Sequence, residues 1–336
     1  MPGCRLPTRA ALERRFDTTP VTIQKVFDQL AGEGFVAAHG CHGTFVSKRP
    51  PHLCRYGLVF PYQDRPERPW SHFWTALAME ATALSTRNGH DMSFFYGNET
   101  HLDLDAYRQL ERDVLAHRLA GLIFASKPFY LTGSPVLDAP GVPRVALMPE
   151  PDILGVAAVA LQPVFFERAI EQLLSLGHRQ IAVITVPAQW SAAMDSIQRH
   201  GLDVPPYWVQ AMSPESPGAA RSVVQLLMAG CPGRRPDGLI ISDDNLVPLA
   251  TAGLLEAGVA VPRDLRVVAH CNFPHPTPSA VPAARLGYDV AAILQACVGV
   301  LDRQRAGEQA AGRVDVPLVI EADGATESAP APGGAA

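Results

Sequence analysis

No uninterrupted apolar run in the chain reaches the roughly 20 residues that a membrane span needs. The opening stretch, MPGCRLPTRAALERRF, lacks the apolar core of a signal peptide. A cytoplasmic protein without a membrane partner is therefore expected. Cysteine is sparse: Cys4, Cys41, Cys54, Cys231, Cys271 and Cys297 are scattered, with no C-x-x-C pair and no His at metal-ligand spacing. That pattern reads as reduced thiols and argues against a disulfide or zinc framework. Also missing are a nucleophile elbow, a phosphate-binding Walker loop, a G-x-G-x-x-G fingerprint and an H-E-x-x-H pair, so neither an enzyme nor a cofactor is expected. His178, in LGHRQ, reads as a packed surface residue opening a strand, not as a base. What is present is an ordinary globular composition, 47% hydrophobic and 18% charged over 336 residues. A chain of this length is expected to hold two or three domains.

Charge is unevenly spread. Residues 1–55 carry eight Lys/Arg against four Asp/Glu, net +4, whereas the remainder carries twenty against twenty-nine, net −9. Such asymmetry points to a small polyanion-binding head on an acidic body. Within the head, LPTRAALERRF has helical spacing at Ala11, Leu12 and Phe16 and predicts a helix from about Thr8 to Phe16. After a turn at Asp17 and Thr18, Thr19 suits an N-cap and Pro20 the first helical position, where no amide hydrogen is needed. Ile23, Val26, Phe27 and Leu30 form the buried stripe of this second helix, leaving Thr22, Gln24, Lys25 and Asp28 outside, and Gly34 ends it. FVAAHG and GTFVS then read as a hairpin around HGCHG. Helix-turn-helix plus hairpin is a winged helix, whose second helix enters the major groove while the wing brings His39, His42 and bare glycine backbone to the sugar-phosphate chain. The alternative is a small helical domain with a surface hairpin.

This stretch resembles the DNA-binding domain of the GntR family of bacterial repressors through Leu6, Pro7, Thr8, Leu12, Phe16, Thr22, Lys25, Leu30, Glu33, Gly34, Gly43, Thr44, Phe45 and Val46. The resemblance implies that Thr8, Thr19, Thr22, Lys25 and Gly43 touch DNA. With the wing and the helix starts, the candidate DNA-binding set is Thr8, Arg9, Thr19, Thr22, Gln24, Lys25, His39, Gly40, His42, Gly43 and Thr44. Pro20, Ala10 and Cys41 depart from the family pattern. The family also has a further helix ahead of the PG-x-x-LP turn, where this sequence reads Met1 and then PGCRLP, so a start placed too late is the expectation.

KRPPHLCR, residues 48–55, reads as a stiff linker. Beyond it, short apolar runs (YGLVFP, DMSFFYG, AGLIFAS, RVALM) alternate with helical ones, and a second such series holds QIAVIT, WVQAM, DGLIISDD and RVVAHCNFP. Alternating β and α segments imply parallel sheets with helices on both faces, here in two Rossmann-like lobes. This body resembles the LacI-type effector domain, related to periplasmic sugar-binding proteins, through LLSLGHRQIAVIT, the run from Asp237 to His270 and VDVPLVIEA. A GntR-type head on a LacI-type body is the arrangement of arabinose-repressor-like regulators. The expected division is thus a winged helix over 1–47, a linker over 48–55, an effector and dimerisation domain over 56–322, and a disordered tail over 323–336.

The resemblance implies a small-molecule effector, by family default a sugar, held in a cleft between the lobes at strand ends. Asp243 ends LIISD and either binds ligand or caps the next helix. Cys271 stands where relatives place a carboxylate or amide, and VPAQWSAAMD offers no Arg for the cleft. Candidate ligand-binding residues are Trp70, His72, Phe73, Ser126, Trp190, Asp243, Asp244 and Asn272, with ordinary packing as the alternative for the aromatic ones. The leading expectation is a dimeric, ligand-responsive repressor on operator DNA. The alternative is a small-molecule sensor whose incomplete head does not bind DNA.

Overall fold

Two threonines set the helices of the head. Thr8 Oγ1 accepts from the Ala11 amide at 3.3 Å and starts α1 (Arg9–Phe16), and Thr19 Oγ1 accepts from the Thr22 amide at 3.2 Å and starts α2 (Pro20–Gly32). Each such cap is worth about 1 kcal/mol. Asp17, in the left-handed region at φ 47°, makes the turn between them. Strands β1 (Val36–Ala38) and β2 (Thr44–Val46) pair antiparallel, Val36 opposite Val46, around a 3-10 turn over Gly40–His42. The extended residues before α1 add to the hairpin's other edge: the Leu6 amide donates to the Thr44 carbonyl at 2.8 Å and the Val46 amide to the Cys4 carbonyl at 2.8 Å.

The structure, a computed structural model, describes residues 1–63, 70–97, 104–214, 216–230, 235–308 and 312–321. The tail expected to be disordered, and Cys231, lie outside the described residues. The chain forms two units: Met1–Trp70, Trp74–Leu161 and Val290–Val316 make the first, and Ser71–Phe73, Gln162–Asp289 and residues 317–321 the second.

In the first unit a short helix, α3 (Pro51–Cys54), lies in the expected linker and leads directly into β3 (Arg55–Phe60). There follow α4 (His72–Asn88), β4 (Asp91–Tyr96), α5 (Leu104–Leu115), β5 (Gly121–Phe124), α6 (Pro135–Asp138), β6 (Arg144–Leu147) and β7 (Ala157–Leu161). The second unit then supplies α7 (Phe165–Ser175), β8 (Ile181–Thr185), α8 (Trp190–Arg199), β9 (Val209–Ala211), α9 (Gly218–Met228), β10 (Gly238–Ile241), α10 (Val247–Glu256), β11 (Arg266–Phe273) and β12 (Ala284–Asp289). The chain returns to the first unit for α11 (Val290–Arg305) and β13 (Arg313–Val316), and to the second for β14 (Val319–Ile320).

Strand order is β13-β7-β6-β5-β3-β4, all parallel, in one sheet and β14-β12-β11-β10-β8-β9, parallel except for β14, in the other. The second sheet shows why its strands are apolar throughout. Ala182, Ile184, Leu239, Ile241, Val267 and Ala269 pack on one face with α9 and α10, while Ile181, Val183, Ile240, Val268 and Leu286 pack on the other with α7 and α8. Side chains alternate faces, so a sheet covered on both sides needs an apolar residue at every position. The result is a mixed α/β protein of two parallel-sheet lobes, a periplasmic-binding-protein-like fold.

One expectation for the head is corrected. Ile23 and Phe27 of α2 are buried and Leu30 is half-buried, but Val26 is 45% exposed, as are Val21 at 65% and Phe16 at 64%. Val21 and Val26 thus leave one side of α2 exposed among the described residues.

Candidate functional site

The polar residues of the head gather on three elements. Thr22 and Lys25 are exposed on α2; Gln24 is half-buried and its Nε2 donates to Asp28 Oδ1 at 2.7 Å. The Thr19 and Thr22 hydroxyls lie 3.0 Å apart, so Thr8 and Thr19 act as caps whose oxygens are already engaged. Arg9 is exposed, with its guanidinium 5.7 Å from the centre of the Phe27 ring. At the hairpin, Gly40 (φ 53°) and Gly43 (φ 102°) adopt conformations that disfavour side chains, His39 stands edge-on to Phe45 at 5.3 Å, and His42 is exposed. Thr44 is half-buried where the hairpin closes. Sequence reasoning missed Arg5: its guanidinium covers Gly43 so closely that a Cβ there would lie 2.8 Å from Nε, and this adds a cation to the hairpin.

In the second unit, polar side chains collect where β8, β10 and β11 end, the end at which open parallel sheets bind ligands. Ser242 Oγ lies 2.7 Å from Thr185 Oγ1 and 2.7 Å from Gln189 Oε1. Asp243 Oδ1 accepts from the Asn245 amide at 2.9 Å and from its Nδ2 at 2.7 Å, and the His72 amide donates to Asn245 Oδ1 at 3.0 Å. Asp243 therefore shapes the turn into α10 and, through Asn245, anchors the segment bearing His72 and Phe73. Asp244 turns inward: it is 3% exposed, and Asn272 Nδ2 donates to its Oδ2 at 2.5 Å. Burial pushes the Asp244 carboxyl above its ordinary pKa; the neighbouring His270 pulls it down and Asp243 pushes it up. Burial beside Phe165 and Tyr288 lowers the His270 pKa, with Asp244 and Asp243 acting in the opposite direction. Cys271 faces away into the interior and its thiol is pushed up to about 12 by burial, so it behaves as a small apolar side chain. Trp190 opens α8 at 45% exposure.

The candidates His72, Phe73, Trp190, Asp243, Asp244 and Asn272 thus share one unit. Trp70 and Ser126 belong to the other, Ser126 just past β5 and Trp70 in an aromatic cluster 5.0 Å from Phe60, 6.2 Å from Tyr62 and 5.1 Å from Trp74. Thr185, Gln189, Ser242, Asn245 and His270 were not foreseen. Their signal was position alone, since each is polar at or just past the carboxyl end of an apolar run. Among the described residues no group of three or more His, Cys, Asp or Glu is placed to hold a metal, and no helix is long and apolar enough to cross a membrane.

Residues 170–321 match the family description of a periplasmic binding protein-like domain. No curated protein matches the sequence. Among solved structures, the chain is similar to a regulatory protein of the LacI family from Chloroflexus aggregans, at 18% identity over 79% of this chain and 96% of that one, with a TM-score of 0.63. It is also similar to a LacI family transcriptional regulator from Lactobacillus casei with bound sucrose, at 21% identity over 80% of this chain and 98% of that one, TM-score 0.59. A third likeness is to the lac repressor dimer bound to operator and an anti-inducer, at 16% identity over 80% and 92% of the two chains, TM-score 0.59. At such identities the likeness is one of fold.

Proposed function

We propose that this chain is a ligand-responsive transcriptional regulator of the cytoplasm, a homodimeric repressor that binds operator DNA through a winged helix and a small molecule at the strand ends of the second unit. The observation that carries this reading is α2: capped at Thr19, it leaves Thr22 and Lys25 exposed in a segment of net charge +4, ahead of a fold shared with LacI-type regulators. In this reading Lys25 and Arg9 meet phosphates, Thr22 and Gln24 meet base edges or phosphates, and the hairpin with His39, His42 and Gly43 follows the backbone. A sugar is the first ligand class to consider, because the Lactobacillus casei regulator holds sucrose and the polar groups around Asp244 and Asn272 suit hydroxyls.

The test is binding of the full chain to the DNA upstream of its own gene, at about 50 and about 200 mM salt, with Lys25→Ala alongside. Tight binding that weakens steeply with salt, and a variant weaker on every sequence with a slope shallower by about 0.9, is the expected result. Binding that is absent, or indifferent to salt and to Lys25, removes the DNA-binding reading. A second reading has its own support: the bare Phe16, Val21 and Val26 favour a small-molecule sensor whose head does not grip DNA unaided.

A further inference from the structure

Glu33 sits at the wrong end of a helix. It is the C-cap of α2, where the helix dipole disfavours a carboxylate. Its side chain is nonetheless held there: Gln29 Nε2 donates to Glu33 Oε1 at 3.0 Å, and Arg118, which lies between α5 and β5, donates to the same oxygen through Nη2. The other nitrogen of that guanidinium, Nη1, donates to Asp113 Oδ1 at 3.2 Å. Asp113 is on α5 with a side chain 1% exposed, and its second oxygen lies 3.3 Å from Arg55 Nη1. Arg55, the first residue of β3, also donates from Nε to Ser93 Oγ at 2.8 Å. A carboxylate this buried is costly unless cations hold it, and here two do, one from each side. Apolar contacts reinforce the same junction: Phe35, just past α2, stacks on His52 of α3 with ring centres 5.6 Å apart, and Pro50 is buried.

We propose that Arg118 is a latch within the first unit, between the head and the sheet-bearing part: through Glu33 on one side and Asp113 on the other it locks the end of α2 to α5, so that the orientation of the head on this unit is set by a docked contact and not by a free linker. In this proposal the stretch read as a stiff linker, which holds α3, is part of a docked joint. The latch itself needs no DNA. Its regulatory meaning rests on the DNA-binding reading above, under which Arg118 is a positioning residue for the helix that meets DNA.

Hydrogen exchange followed by mass spectrometry tests it without DNA, in the full chain, on peptides covering residues 31–35 and 47–54. Glu33→Gln removes the charge and keeps the size and the Gln29 contact, so the head should fold unchanged. Exchange at both junction peptides is expected to become several-fold faster, while α1 and the strands of the first unit keep their rates. Arg118→Gln should speed the same peptides, and the double variant should be no faster than the faster single one, as for two ends of one contact. Raising NaCl from about 0.05 to about 0.5 M should speed exchange there in the wild-type chain and change Glu33→Gln little. Wild-type rates in Glu33→Gln, or strictly additive effects of the two substitutions, overturn the latch; if Arg118→Gln loosens the whole unit by stranding Asp113, Glu33→Gln with the salt comparison still decides. Loss of DNA binding with the junction intact would count against the functional reading and leave the latch standing.

Discussion

Asp244 lies just past the end of β10, buried beside Asp243 and hydrogen-bonded by Asn272. A carboxylate 3% exposed, with an amide as its hydrogen-bond donor and a second carboxylate beside it, is penalised in its charged form. Its folded-state pKa is raised above 3.8, so the folded chain holds this proton more tightly than the unfolded chain. The sign follows: its contribution to stability is full below about 3.8 and is lost as pH rises through the raised value. Asp244→Asn copies the protonated form and keeps an acceptor for Asn272. Thermal unfolding of the variant should match the wild type near pH 3.5 and lie a few degrees above it at pH 7; under the proposed reading, in which Asp244 lines the effector site, the response to an effector should also disappear. A variant less stable than the wild type at pH 7 would show that the charged carboxylate is better paired than its neighbours indicate. A group kept at a cost to stability is what a binding site is expected to hold.

At the scale of elements, the pairing of β11 with β12 leaves no room at one position. A Cβ on Gly287 would stand 1.7 Å from the carbonyl oxygen of Cys271, and backbone cannot yield as a side-chain tip can. Gly287→Ala is therefore expected to cost about 3 kcal/mol or more in chemical denaturation, at or beyond the upper end for overpacking. Gly299→Ala on α11, where the nearest atom is 3.6 Å away at the end of Arg303, should be neutral or stabilising by about 0.5–1 kcal/mol. A mild effect at Gly287 would mean that the two strands can slide apart. Elements like these differ in how far the sequence announces them. YGLVF, GLIF, IAVIT and GLII are readable as strands because a sheet covered on both faces demands unbroken apolar runs, and DMSFFY, on the sheet's edge, reads as one through its aromatic, β-prone residues. ARLGYD is not: its Arg285 is buried with Nη2 donating to the Thr277 carbonyl at 2.9 Å, its Gly287 exists for backbone clearance, and neither reads as strand. The return of α11 and β13 to the first unit is equally invisible, since a linear alternation of β and α carries no record of which sheet a strand joins. The strand-end site is half legible for a related reason. The pair Asp243–Asp244 stands out in sequence, but only the turn made by Asn245 decides which carboxylate faces outward and which is buried.

For the molecule as a whole, charge and coupling belong to one argument. The chain is net −5, yet residues 1–55 are net +4, so attraction to a polyanion is confined to the head while the rest opposes it. Under the proposed reading, a ligand acts through its differential affinity for the two states, and a coupling of about 1–3 kcal/mol changes operator affinity roughly 5- to 150-fold. Linkage makes the effect reciprocal, so DNA must change the affinity for the ligand by the same factor. With sucrose and glucose as first probes, operator affinity is measured with and without the sugar, and sugar affinity with and without operator. Equal factors within that range, from two independent titrations, are the expected result for the probe that proves to be an effector. A sugar that binds at the strand ends with the same affinity whether or not DNA is present, and leaves DNA binding unchanged, has no grip on the equilibrium between states and would place this chain among sensors.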